Sequence, residues 1–199
     1  MSYTRRAIIL GGFTSLLSAP LASIANAISP DIAHGSRSSN KVALTFHGAG
    51  DPKIARELLK IFSASSTPVT VFAVGTFLKE NPEFAKKILD GGHDLGNHTM
   101  THTQMKTISA RRVEEEIAGC ANLLKKLVGN HGSFFRPSGT QYSTPLIRKT
   151  AQKYGYKNCI SYDVDSHDYQ DPGTATVISN VKSAVKGGSI ISLHFGHSN

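Results

Sequence analysis

Short apolar runs separated by stretches of helical spacing occupy most of the chain. Five runs are compact, at residues 42–46, 69–74, 134–136, 158–162 and 189–194, and a shorter, more polar one lies at 93–97. Between them, residues 52–63 repeat apolar positions at helical spacing, and 82–91 open with Pro at the first helical position and close on Gly. Residues 109–128 predict the longest helix. Ser109 is its N-cap, Glu114, Glu115 and Glu116 lie in its first half, and Lys125 and Lys126 lie near its end, an order that suits the helix dipole. Residues 144–154 and 174–185 complete the helices. Strands alternating with helices imply βα units and a parallel sheet buried on both faces, arranged as an open doubly wound sheet or as a barrel. No internal repeat interrupts the pattern.

Polar, titratable side chains collect where the runs stop: residues 47–51, 98–102, Arg136, 163–168 and His194. In α/β sheets, sites gather at the carboxyl ends of the strands, so five clusters obeying one rule point to a single site. The first run, Ala43-Leu44-Thr45-Phe46, delivers His47 and, four residues on, Asp51. In Gly96-Asn97-His98-Thr99-Met100-Thr101-His102 two histidines stand four apart. On a helical turn they would share a face and bind one metal ion through imidazole nitrogens, with Asp94 and Asn97 as supporting partners.

The N-terminus bounds the compartment. Arg5 and Arg6 precede an apolar stretch, residues 7–24, that ends at Ala25-Asn26-Ala27. Residues 1–27 thus read as an export signal of twin-arginine type rather than a retained membrane anchor, and the chain as an exported bacterial protein, periplasmic or extracellular. The polar, Ser-rich residues 28–40 read as a flexible lead-in, leaving 41–199 as one domain. The whole chain carries a net charge of +8, and loss of the two signal arginines leaves +6. Without a dense Lys/Arg run this does not suggest nucleic acid, and it suits an anionic cell-wall surrounding. Cys120 and Cys159 are too few for a disulfide scaffold and lack metal-site spacing; they read equally as a disulfide or as two small buried hydrophobes.

The ordered motifs carry a resemblance. Residues 91–102 (GGHDLGNHTMTH) are similar to the histidine motif of the polysaccharide deacetylases, carbohydrate esterase family 4, the NodB-homology group. Residues 134–139 (FFRPSG) resemble that family's arginine motif, 162–169 (YDVDSHDY) its Asp-x-x-Asp-Trp motif with Tyr169 in the Trp position, and 190–195 (IISLHF) its final Leu-x-His motif. The resemblance runs along residues 41–196. It implies a distorted, incomplete (β/α) barrel and a divalent metal, usually zinc. The implied reaction is hydrolysis of an acetyl group, N-acetyl before O-acetyl, from a cell-wall or extracellular polysaccharide. By position, His98 and His102 would be metal ligands and Arg136 would orient an active-site carboxylate. His194 would be the general acid, paired with Asp168 (Asp165 being the alternative), which would raise its pKa. Tyr169 and Leu193 would line the acetyl pocket. No Ser or Cys sits in a nucleophile elbow, which favours attack by metal-activated water over covalent catalysis.

The chain departs from the family at its first motif. Where the family has Thr-Phe-Asp-Asp-Gly, with a base and a metal-ligating aspartate, this sequence has Thr45-Phe46-His47-Gly48-Ala49. The leading expectation is a rearranged site in which His47 binds the metal and Asp51 turns back as base, or the two exchange these jobs, with Gly48 and Gly50 permitting the return. The alternatives are a degenerate domain that binds glycan without hydrolysis, and a metal-independent hydrolase relying on His47, Asp51 and His194. The resemblance also implies a further helix after the last motif, so a chain ending at Asn199 is expected to be a truncated form of the fold, exposing apolar barrel surface. His197 is expected to lie in a frayed terminus.

Overall fold

A computed structural model describes residues 30–196, so the signal segment and His197 lie outside the described residues. Five parallel strands form one sheet in the order β3-β2-β1-β5-β4. They are β1 (Ala43–Gly48), β2 (Thr70–Ala73), β3 (Asp94–Asn97), β4 (Val164–Asp165) and β5 (Ile190–Phe195). Six helices accompany them: α1 (Pro52–Ala64), α2 (Gly75–Glu80), α3 (Glu83–Asp90), α4 (Ala110–Val128), α5 (Pro145–Lys153) and α6 (Thr174–Ala184).

The run at 134–136 forms no strand of its own. Phe135 bridges in parallel to Asn97 on one side and to Cys159 on the other, which continues the curve of the sheet beyond β3. Among the described residues no strand pairing joins this end to β4, so the sheet is not closed, in keeping with the incomplete barrel expected. The residues of the lead-in that are described are tied down rather than flexible: Ile32 bridges to Ile160, His34 to Ser189, and Arg37 pairs with Asp163 at 2.7 Å. Backbone bonds to the barrel's base outweigh the polar composition that predicted a loose segment.

Apolar strand and helix faces fill two clusters. The larger packs Phe46, Val71, Leu78, Phe84, Ile88 and Phe195 between the sheet and α1–α3; the smaller packs Val113, Ile117, Phe135, Ile147 and Tyr156 against α4 and α5. Each set is completely or almost completely buried, about 1.5–3 kcal/mol per large apolar side chain. Buried on both faces, the sheet leaves only its strand ends for chemistry.

Candidate active site

Strand register brings the first two histidines together. His47 on β1 lies opposite His194 on β5, and Ala73 on β2 lies opposite Asn97, the last residue of β3, directly before His98. The His47 Nδ1 and His194 Nε2 atoms are 3.2 Å apart. On the other side of His194, Nδ1 lies 2.7 Å from Asp168 Oδ1, and the His194 backbone N–H donates to Oδ2 at 2.8 Å. One carboxylate thus fixes both the ring and the backbone of His194. Asp168 fills the expected partner position, whereas Asp165 lines the cavity and accepts from the His167 backbone N–H. Burial pushes the Asp168 carboxyl up, but its hydrogen bonds to His194 outweigh that and hold it below the usual range.

His98 is almost completely buried, and its Nδ1 lies 2.9 Å from the Arg136 carbonyl oxygen. Donation from Nδ1–H to that carbonyl leaves Nε2 as a bare lone pair, and Nε2 has no hydrogen-bond partner. The His47 Nε2 is likewise buried and bare. Burial, then the neighbouring charges His98 and Arg136, hold the His47 pKa well below the ordinary imidazole value. Burial and His102 do the same for His98, and burial and His194 lower His102. Neutral imidazoles are the ligand-competent form.

His98 and His102 do come together, with ring centroids 5.0 Å apart, but no helix joins them. The turn after β3 instead places Thr99 (φ 70°) and His102 (φ 56°) in the left-handed region. Asn97 Oδ1 accepts from the Thr99 N–H at 2.8 Å, competing with helical hydrogen bonding.

His47 stacks on His98 at 4.5 Å with an interplanar angle of 23°. In-plane lone pairs of near-parallel stacked rings run alongside each other and do not meet at one ion, so this placement does not bring His47 in as a third ligand. Among the described residues, no group of three or more His, Cys, Asp or Glu side chains is arranged to hold a metal. The donor type still fits. The bare, buried Nε2 of His98, with His102 beside it at a 65° ring angle, suits an ion that accepts imidazole nitrogen. It is a thinner set than the three protein ligands usual in catalytic zinc sites.

Asp51 does not turn back. It is the N-cap of α1, and its Oδ1 accepts from the Lys53 N–H at 2.7 Å. An Asp directly before Pro at the first helical position is a helix start, and that local demand outweighs the return that the glycines would permit. Leu193 is also misplaced. Its neighbours Ser192 and His194 line the cavity, so strand alternation turns Leu193 to the other face, where it packs on the larger core. Tyr169 is where expected, half-exposed at the cavity mouth with its ring 5.4 Å from His194.

Arg136 is buried, as an orienting residue should be, but among the described residues it pairs with no carboxylate. Its Nε donates to the Ile160 carbonyl at 3.2 Å and one Nη to the Ser161 carbonyl at 3.0 Å, while the other Nη has no partner. Its guanidinium lies 4.2 Å from the Phe72 ring centroid, and burial pulls its pKa down to about 9. The first motif accounts for this. His47 stands where the family's first aspartate would stand, and a Cβ on Gly48, the position of the second, would lie 2.9 Å from Ala73 Cα.

These groups enclose a cavity of about 470 Å³, lined by His47, His98, His102, His194 and Asp165 and walled by residues the motifs did not single out, including Gln104, Gln141 and Tyr162. Nothing in the sequence singles out the two glutamines, which lie on loops. Tyr162 ends an apolar run and could have been marked by the strand-end rule. The cysteines are both buried and free, with burial pushing their thiols up to about 12 for Cys120 and 11 for Cys159. No helix among the described residues is long and apolar enough to cross a membrane.

Known proteins are similar to this chain in sequence and in fold. Residues 34–159 match the polysaccharide deacetylase family model. A peptidoglycan-N-acetylglucosamine deacetylase of Bacillus cereus is 31% identical over 156 residues, 78% of this chain and 72% of the relative. A chitooligosaccharide deacetylase of a Bradyrhizobium species is 27% identical over 161 residues, 80% of this chain and 72% of that protein. A solved structure described as a family 4 carbohydrate esterase pseudoenzyme from Bacillus anthracis superposes with a TM-score of 0.78 at 25% identity. This chain spans only 58% of that structure, although 83% of the chain is covered. The chain belongs to the polysaccharide deacetylase family.

Proposed function

We propose that this protein is an exported hydrolase that removes acetyl groups, N-acetyl before O-acetyl, from a cell-wall or extracellular polysaccharide. The observation that carries this reading is the convergence of a bare-Nε2 His98, His102, His47 and the Asp168–His194 pair on one open cavity at the strand ends. His98 and His102 would hold a divalent ion, zinc before others, which when bound supplies Lewis acidity: it polarises the acetyl carbonyl and acidifies water.

The chain's own residues divide the remaining work. With Asp51 on the helix cap, the base is His47, whose bare Nε2 accepts the proton of the attacking water. Asp168 holds the His194 ring through Nδ1, leaving Nε2 to carry a proton to the departing nitrogen. With its Nε2 bare, His47 carries its proton on Nδ1 and donates it across 3.2 Å to an unprotonated His194 Nε2. When His47 Nε2 takes the water's proton, the Nδ1 proton passes to His194 Nε2, which delivers it to the departing nitrogen. Tyr169 and Tyr162 bound the space for the acetyl group and its sugar, while Arg136 supports His98 through its carbonyl.

A second reading, a glycan-binding domain without turnover, is favoured by one observation: neither aspartate position of the first motif carries a carboxylate, and Asp51 does not replace them. Acetate release from N-acetylated chitooligosaccharides and from peptidoglycan separates the two. The hydrolase reading expects release that stops with chelator and resumes with zinc. Full activity in a His98→Ala/His102→Ala variant would overturn it, and glycan retention with no acetate at any zinc concentration would establish the binding domain.

A further inference from the structure

The turn that carries His98 and His102 is clamped from behind by one carboxylate. Glu116 lies on the apolar stripe of α4, between Val113 and Ile117 on one side and Cys120 on the other, and is completely buried. Its Oε2 accepts from the Thr101 backbone N–H at 2.7 Å, and its Oε1 accepts from the Thr101 hydroxyl at 2.6 Å. Arg112, one turn earlier on α4, donates to Oε1 at 2.6 Å and supplies the counter-charge. Thr101 stands between the two histidines. A buried carboxylate is retained only where it is paired and bonded, and here every bond it makes ends on this turn or on Arg112.

The backbone needs such a hold. Thr99 and His102, both bearing Cβ atoms, occupy the left-handed region, which side-chain-bearing residues adopt only where the surroundings impose it. At the His98 end the imposition comes from Asn97, through Thr99 N–H, and from Ser138, whose Oγ lies 2.9 Å from Thr99 Oγ1 and donates to the Thr103 carbonyl at 2.6 Å. At Thr101 it comes from Glu116, which takes both the backbone N–H and the hydroxyl proton, and from Arg112, which donates to the Thr101 hydroxyl oxygen at 3.3 Å. A two-imidazole set has little binding strength to lose, so its geometry has to be fixed before the ion arrives.

We propose that Glu116 is a positioning residue that pre-sets the His98–His102 pair for a divalent cation by fixing Thr101 through both its backbone and its hydroxyl. This rests on the reading of the two histidines as a metal site. Glu116→Gln is the direct variant: it removes the carboxylate charge that strengthens the Thr101 and Arg112 bonds, keeps one acceptor oxygen, and can meet the Thr101 hydroxyl only by donating its amide N–H to it. Thr101→Val removes the hydroxyl contact while leaving the backbone one, and Thr101→Ser restores it.

Two measurements on the full chain keep the proposal apart from the reading it rests on. Amide exchange on the metal-free protein should show the Thr101 N–H exchanging at least about tenfold faster in Glu116→Gln, with β1 and β2 unchanged. Zinc titration by calorimetry should show affinity about 10–100-fold weaker in Glu116→Gln, smaller losses in Thr101→Val and recovery in Thr101→Ser. If Glu116→Gln does not fold, the two Thr101 variants carry both measurements. Unchanged exchange at Thr101, or equal zinc affinity in wild type and variants, overturns the proposal. Faster exchange together with no zinc binding by the wild type would uphold the clamp and sink the metal reading.

Discussion

Acid should unfold this protein earlier than its carboxylates require, because His47 and His98 are held neutral. Both have folded pKa values well below the ordinary 6.5, chiefly from burial. Below that value the unfolded chain takes up protons that the folded chain refuses, so stability is complete above about pH 6.5 and falls as pH drops toward the folded values. At pH 5.5 the unfolded state gains RT ln(1 + 10), about 1.4 kcal/mol, for each such imidazole, or about 2–3 kcal/mol for the pair. His93 and His102, also lowered by burial, act in the same direction. Asp168 has its folded value below the carboxylate range, so its stabilising contribution is lost only as pH falls through and below about 4, outside this window. The assay is urea unfolding in chelator at pH 7.5, 6.5 and 5.5, followed by circular dichroism, since the chain has no tryptophan. His47→Leu should remove its own share of the change, about 1.4 kcal/mol. A stability that stays flat from pH 7.5 to 5.5, or an unaltered slope in His47→Leu, would refute the neutral, buried pair.

Other substitutions separate the roles. Asp168→Asn should reduce acetate release by about 10²–10⁴ while leaving zinc affinity near wild type, because it disturbs only the His194 acid. Asp51→Ala should cost about 1 kcal/mol of stability through the lost α1 cap and leave turnover near wild type; a large loss of turnover would restore Asp51 as base. Gly48→Asp, which rewrites the family's second aspartate, should destabilise by at least about 1–3 kcal/mol, because its Cβ would press on Ala73 and on Val71 Cγ1 at 3.0 Å. A melting temperature unchanged in that variant would show that β1 and β2 have room to part.

Much of the fold was written in local pattern. The helix runs, and the strand runs at 42–46, 69–74, 93–97 and 189–194, fall within a residue or two of the observed elements because apolar period and caps decide them locally: Ser109 and Thr144 cap α4 and α5 through their side chains. The run at 158–162 forms only bridges, at Cys159 and Ile160, and β4 lies just beyond it. The 82–91 stretch gives α3, but α2 was invisible, a six-residue helix that starts at a buried Gly75 and lacks a side-chain cap. The run at 134–136 pairs only through Phe135, because a barrel bend, and not the run itself, sets its partners. In the site, His47, His98, His102, His194 and Asp168 were legible from strand ends and spacing. Asp51 was misread because a missing carboxylate was sought nearby, while Asp51-Pro52 already spelled a helix start. Leu193 was misread because strand alternation gives His194 and its neighbour opposite faces. Glu116 could have been found: a carboxylate on an apolar helical stripe, three residues after Val113, must have a buried partner.

The most direct test is a crystal structure of the zinc-soaked protein. The account predicts an ion about 2.0–2.1 Å from His98 Nε2 and a His102 nitrogen, with His47 Nε2 beyond bonding distance and facing a zinc-coordinated solvent position. An ion bound through His47, or no ion at His98 and His102, would contradict it.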